Sequence, residues 1–232
     1  MPAAVVDDIA AAIAPVERET LNDRVYRQMK DSIMAGAFRP GQELTLRSVA
    51  DALGTSLMPV RDALRRLVTE RALEALPSRK IAIPILDKEK FLELRRIRIL
   101  LEGEAVALAA EKVTRRGLAN VRSILKKLQG LDEKQRAQFW ALNHRLHFAV
   151  YEAAESPLLF SIIESLWLQV GPLMTRIPVA RAVRSSADPH DVLVRALEDR
   201  DPATARAALE NDLTDSTDAM MKELARQNTT RE

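Results

Sequence analysis

The sequence predicts a mainly α protein, an N-terminal winged helix-turn-helix followed by a C-terminal all-α antiparallel helical bundle. Three observations carry that reading. Ala, Leu and Arg recur throughout, while Gly numbers only 7 in 232 residues and aromatics make up 4%. Such side chains lose little freedom in a helix. Two short helical patterns flank the turn Leu53-Gly54-Thr55-Ser56, the layout in which one helix braces and the next enters a DNA groove. Beyond Pro84 the strand signals stop. Helix starts then recur at Ser156-Pro157, Asp188-Pro189 and Asp201-Pro202, each a capping side chain before a proline at the first helical position.

The first helix is expected to open at Thr20, because Thr20 and Asp23 have capping-box spacing. Leu21, Val25, Met29 and Ile33 then form one apolar stripe, which Gly36 and Pro40-Gly41 end. Thr45 caps a second helix bearing Leu46, Val49, Ala50 and Leu53, with Gly54 as its left-handed terminator. Ser56 caps a third, which buries Val60, Leu64, Leu67 and Val68. Met58, Arg61, Asp62 and Arg65 fall away from that stripe on the helical wheel. Leu73–Leu76 and Ile81–Ile83 read as two short strands around Pro77-Ser78-Arg79-Lys80. Taken alone, that basic hairpin is either a wing or an ordinary solvated surface loop. Later helices are expected from Asp87 to about 113, then near 115–130, 134–154, 158–176, 189–199 and 202–226. Residues 177–187 give the weakest signal. The expected organisation is a mobile tail over 1–18, a DNA-binding domain over 19–85 and a helical domain for effector binding and dimerisation over 86–228.

Composition sets the outer bounds. The absence of Cys excludes a disulfide framework, cysteine-ligated zinc and thiol catalysis. The opening MPAAVVDDIAAAIAP has acids in its apolar run and no basic leader, so it makes a poor signal peptide. No stretch approaches the run of about 20 apolar residues that spans a bilayer, so no membrane partner is expected and the location is read as cytoplasmic. A net charge of +2 says little. From Arg39 to Lys80 eight Lys/Arg stand against five Asp/Glu, a bias that permits DNA binding without arguing for it.

Certain residues carry a sharper resemblance. Val25-Tyr26, Ile33, Gly36, Pro40-Gly41 and Leu53-Gly54-Thr55-Ser56 lead into Pro59-Val60-Arg61-Asp62-Ala63-Leu64-Arg65-Arg66-Leu67. Further on come Arg98, Leu101-Glu102, Leu108-Ala109-Ala110, Leu142-Asn143, His147, Tyr151-Glu152-Ala153, His190, Ala196-Leu197, Asp201 and Ala205 to Leu213. Over about residues 20 to 225 the chain resembles the GntR family of bacterial transcription regulators, in the FadR-like branch with a helical FCD domain. The resemblance implies a metabolite-responsive transcription factor, commonly a repressor, that binds palindromic double-stranded operator DNA as a homodimer. Its DNA contacts would fall on Arg47, on Arg61 and on the tip from Ser78 through Arg79 to Lys80. Arg65 joins them from the wheel, and Ser56 and Met58 open the same helix. Arginine suits the task, since its planar fork reads guanine edges or grips phosphate. Many relatives carry Arg just after the turn serine, where this chain has Leu57 and Met58. Two base-edge contacts are then either lost or replaced by an apolar contact with a thymine methyl.

Asn143 and His147, four apart, share one helix face, and His190 opens a later helix. Metal-binding FCD domains carry an acidic or Asn residue four before a His, a second His, and a third His 22 residues later. Asn143, His147 and His190 match that pattern, with Asp212 in the last place. Two imidazoles and a carboxylate with open positions suit zinc, nickel, iron or manganese, and an effector's carboxylate would fill the open positions. The bland alternative is a metal-free polar pocket. Arg98 is the expected effector-binding residue, a guanidinium that could pair with a small organic acid; its alternative is an ion pair with Glu102, four residues on. His144, one step off the ligand face, is expected to be exposed or structural.

Two other functions are weighed. A helical metallohydrolase would use His147, His190 and Asp212 around an activated water, but it lacks a well-placed general base and leaves the N-terminal motif unexplained. A ligand-independent architectural DNA-binding dimer would hold no small molecule or metal on purification. The expected role is therefore regulatory, not enzymatic.

Overall fold

A computed structural model describes residues 20–77, 80–179 and 188–229. The expected N-terminal tail, Ser78 and Arg79 at the hairpin tip, and residues 180–187 lie outside the described residues.

Helix α1 (Leu21–Met34) opens on the expected capping box, in which Thr20 accepts from the Asp23 backbone and Asp23 from the Thr20 backbone. It buries Val25, Met29 and Ile33, whereas Leu21 at the head of the stripe stays half exposed. Strand β1 (Glu43–Leu44) precedes α2 (Leu46–Leu53), capped by Thr45 in a second box with Ser48. Gly54 ends α2 in the left-handed region at φ 61°. Helix α3 (Leu57–Thr69) begins where expected, but Ser56 makes no side-chain cap hydrogen bond. Pro59, the third helical residue, removes one of the two N–H groups that an N-cap oxygen reaches, and the other, on Met58, takes no bond from Ser56.

Strands β2 (Glu74–Ala75) and β3 (Ile81–Ala82) form the hairpin, shorter than the pattern suggested. They join β1 in an antiparallel sheet of order β1-β3-β2, with Leu44 and Ala75 both opposite Ile81. The sequence reading did not include β1, because two residues are too few to show alternation.

Among the described residues six further α-helices follow. Helix α4 (Lys88–Lys112) starts at Asp87, which accepts from Lys90 N. Next come α5 (Arg115–Gln129), a 3₁₀ turn (Glu133–Gln135) and α6 (Arg136–Glu152). Helices α7 (Pro157–Met174), α8 (Pro189–Asp199) and α9 (Pro202–Thr229) complete the bundle. Of the three proline starts, Asp188 and Asp201 cap as expected. Ser156 does not: its φ of −127° and ψ of 85° depart from the extended backbone that lets a cap reach the first turn. Helix α4 packs against α6, α7, α8 and α9 and buries residues on several faces, so it is the bundle's central strut.

Helix α7 is long and apolar enough to cross a membrane by length and composition, with mean hydropathy 1.3. Half of it is buried, against α1, α4 and α6, so its apolarity serves the core. Its contact with α1 joins the DNA-binding head to the bundle. Lys30 pairs with Glu164 at 2.8 Å, and a Cβ on Gly171 would lie 2.6 Å from Met34 O and 2.7 Å from Ile33 O. Backbone thus meets backbone, and only glycine fits. Gly171→Ala is therefore expected to destabilise the protein by about 1–3 kcal/mol through overpacking. Thermal or urea denaturation would read this directly; an unchanged midpoint would mean that the two helices separate freely.

Candidate functional site

The DNA-facing surface is built on α3, which buries Pro59, Val60, Ala63, Leu64 and Leu67 and leaves its arginines outward. Arg61 and Arg65 are exposed, as is Arg47 on α2, and none of the three has an ion pair among the described residues. Leu57 and Met58, at 45% and 58% exposure, stand at the head of α3 where the turn presents it. Ser56 beside them is exposed too. Arg66 is committed elsewhere: it lies over the Tyr26 ring at 3.6 Å and pairs with Glu70, which accepts from the Tyr26 hydroxyl. That cluster locks α1 to the end of α3. The hairpin brings in a partner from β1. Lys80 is exposed but pairs with Glu43 on β1 at 2.5 Å, so it braces the sheet instead of standing free at a tip.

The second site is a cavity inside the bundle. Asn143 and His147 reach it from α6, His190 from α8, Asp212 from α9 and Arg98 from α4, with Trp140 and Trp167 among its walls. The structure thus brings together every residue of the expected metal set. His147 Nε2 lies 3.4 Å from Asp212 Oδ2, and His190 Nε2 lies 3.6 Å from Asp212 Oδ1. Ligand atoms of these three residues fall within 4.8 Å of one another. Tetrahedral ligation at about 2.0–2.1 Å sets neighbouring donors roughly 3.4 Å apart, so the spacing fits a zinc-like ion. A further observation points the same way: His190 Nε2 is buried with no hydrogen-bond partner. Such a nitrogen is rare in a native interior and is usually met by water or an ion.

The outer nitrogens are engaged. His190 Nδ1 donates to Asp188 Oδ1 at 2.9 Å, and the His190 backbone N–H donates to the same oxygen. His147 Nδ1 lies 3.2 Å from the Tyr151 hydroxyl, which donates to Glu102 Oε2 at 2.5 Å. Burial holds the fully enclosed His147 imidazole well below its usual pKa range, with His190 and Arg98 adding to the effect. It is therefore neutral, the form that ligates metal. Desolvation raises the Asp212 carboxyl, against the pull of His190 and Arg98.

Arg98 stands at the cavity and in an ion pair at once. It lines the cavity, and its guanidinium lies 4.6 Å from the Trp167 ring centre. Yet two of its nitrogens donate to Glu102, at 2.5 and 3.2 Å. The ion pair that the sequence offered as the alternative is present, so Arg98 is not a bare cation awaiting an anion. His144 sits outside the cavity, half-buried against Phe148 and Trp167; burial lowers its pKa to about 4, which marks a structural histidine. The sequence reading gave no cavity role to three contributors. Tyr151 was legible as the residue four after His147 and Glu102 as the one four after Arg98, whereas Asp188 showed only as a helix cap.

Comparison with known proteins places this geometry. The chain matches the description "Bacterial regulatory proteins, gntR family" over residues 21–83 and "FCD domain" over residues 93–215. It is 34% identical over 194 residues to the "HTH-type transcriptional regulator McbR" of Escherichia coli K12, covering 82% of this chain and 88% of that protein. Identity to the "Probable D-xylose utilization operon transcriptional repressor" of Paenarthrobacter nicotinovorans is 28% over 193 residues, covering 83% and 85%. Among solved structures, that of E. coli McbR/YncC matches with a TM-score of 0.72 at 28% identity, covering 93% of this chain and all of that one. A GntR regulator from Rhodococcus sp. RHA1 shares the fold with a TM-score of 0.69 at 20% identity, covering 87% of this chain and 97% of that one.

The buried pair yields a test. Glu102→Ala strands the Arg98 cation in the core, so it is expected to cost about 3–5 kcal/mol. Replacing both partners with apolar residues of similar volume should recover much of that loss. Chemical denaturation of the single and double variants decides it; equal stability of Glu102→Ala and wild type would mean that Arg98 finds water.

Proposed function

Because this chain belongs to the GntR family of bacterial regulatory proteins and carries an FCD domain, we propose that it is a cytoplasmic, homodimeric repressor. Its affinity for a two-fold operator is set by a small organic acid, bound in the bundle cavity through a divalent metal. The observation that carries the reading is the cavity itself. His147, His190 and Asp212 converge with their donor atoms within 4.8 Å, beside the guanidinium of Arg98. Asn143 adds a neutral carbonyl, so Asp212 is the only carboxylate in the proposed ligand set and a bound dication keeps net positive charge. An anionic effector suits that charge, with Arg98 close by. Zinc, nickel, iron and manganese all fit two imidazoles and a carboxylate.

On the DNA side, the proposed contacts are Arg61 and Arg65 on the recognition helix, Arg47 on the helix before it, and Arg79 and Lys80 of the hairpin. Ser56 has no capping role, which leaves its hydroxyl for a phosphate. Exposed Met58 suits a thymine methyl. Dimerisation is supported by large apolar side chains that α4 and α7 leave in solvent: Leu100 at 68% exposure and Leu158 at 75%, with Ile97 and Ile162. We assign the chain's division as a DNA-binding unit over 19–85 and an effector and dimerisation unit over 86–228. A regulatory role is favoured over a helical metallohydrolase because the acids nearest the imidazoles already have partners. Glu102 serves Arg98 and Tyr151, and Asp188 serves His190.

Two outcomes are expected. Arg61→Ala should weaken specific operator binding by about 1–3 kcal/mol in each half-site while the melting temperature holds. Gel-shift titration at fixed salt measures this, and undiminished affinity would remove Arg61 from the readout. Metal supplied at 100 times its dissociation constant should stabilise the fold by about 2.7 kcal/mol. Chelation should therefore lower the melting temperature of the wild type but not of His147→Ala. Elemental analysis showing no stoichiometric metal, with no melting shift on adding zinc, nickel or manganese, would leave a polar effector pocket anchored by Arg98.

A further inference from the structure

The proposed metal ligand His147 is not held by packing alone. We infer that Tyr151, backed by Glu102, is a positioning residue that fixes the His147 tautomer so that Nε2 presents its lone pair to the cavity. The inference rests on the metal-binding reading above and adds the residues that prepare the ligand.

The argument follows from counting donors. The Arg98 guanidinium is always charged, and it donates to both oxygens of the fully buried Glu102. The carboxylate is thus an acceptor for every neighbour. The Tyr151 hydroxyl lies 2.5 Å from Glu102 Oε2, so its single proton points there. What remains on that hydroxyl is lone pairs. His147 Nδ1, 3.2 Å away, must therefore be the donor, carrying the ring's proton. The neutral imidazole has only one N–H, which leaves Nε2 bare, and Nε2 is the atom facing Asp212 at 3.4 Å.

His190 is oriented by another route. Its Nδ1 donates to Asp188, which leaves an unpartnered Nε2. Two independent devices, a phenol relay and a direct carboxylate, thus prepare two ligands for one ion. Outer hydrogen bonds of this kind fix ligand orientation and raise basicity, and losing one typically lowers metal affinity 10–100-fold. The relay also ties His147 to Arg98, because Glu102 is the partner of both Tyr151 and Arg98.

The test uses the full-length chain and Tyr151→Phe, which removes one oxygen and keeps the buried ring. The chain has three histidines, so long-range proton–nitrogen NMR correlations of the metal-free protein resolve each imidazole. In the wild type, His147 and His190 should both carry the proton on Nδ1. In Tyr151→Phe, His147 should lose that preference while His190 keeps it, and zinc affinity by competition with a chelating dye should fall 10–100-fold. A packing defect would not single out one ring's tautomer, so His190 is the internal control. A proton on His147 Nε2 in the wild type, or a variant with unchanged tautomer and unchanged zinc affinity, overturns the inference. A wild type that shows the Nδ1 proton but binds no zinc, nickel or manganese sinks the metal reading, and the hydrogen-bond assignment of Tyr151 stands.

Discussion

The carboxylate of Glu102 is fully buried at the centre of the helical bundle, where an unpaired charge would cost several kcal/mol. The fold answers with Arg98, one turn earlier on α4, and with the Tyr151 hydroxyl from α6. Those partners in turn define the cavity. Arg98 is held against the face of Trp167, and Tyr151 is held against His147. The polar residues of the cavity therefore stand in fixed positions inside an apolar bundle, and they do so before any ligand arrives. A fully satisfied network of this kind rigidifies a core, whereas a partly satisfied one destabilises it. Among the cavity-lining residues, the inward-facing imidazole nitrogen of His190 and the indole nitrogen of Trp167 are buried without a hydrogen-bond partner. A buried polar atom left without a partner costs about 1–3 kcal/mol, a penalty that a cation among His147, His190 and Asp212 would remove at His190.

Helix α7 connects that cavity to the DNA-binding head. Trp167 lines the cavity, and four residues later Gly171 meets the backbone of Ile33 and Met34 at the end of α1. Four residues of helix span about 6 Å, so the two contacts lie one turn apart on a single element. Helix α1 is locked onto α3 through Tyr26, Glu70 and Arg66. A continuous packed route therefore runs from the cavity wall to the helix bearing Arg61 and Arg65. Its narrowest point is a glycine against backbone, where no side chain can flex to absorb a shift.

The sequence by itself determined the elements and their order. Thr20, Thr45, Asp87, Asp188 and Asp201 cap the helices they were expected to cap, and Gly54 takes the left-handed turn. These features are legible because capping and helical periodicity act within four residues. The same short range places Asn143 with His147, and Arg98 with Glu102, on shared helix faces. Only the tertiary structure decided which faces meet. That α6, α8 and α9 converge on one cavity, that Asp188 steadies a ligand besides capping a helix, that Lys80 pairs with Glu43, and that Gly171 must be glycine all depend on residues between 2 and about 140 positions apart. Their contacts are set by how helices and strands pack, and packing leaves no periodic trace in the chain.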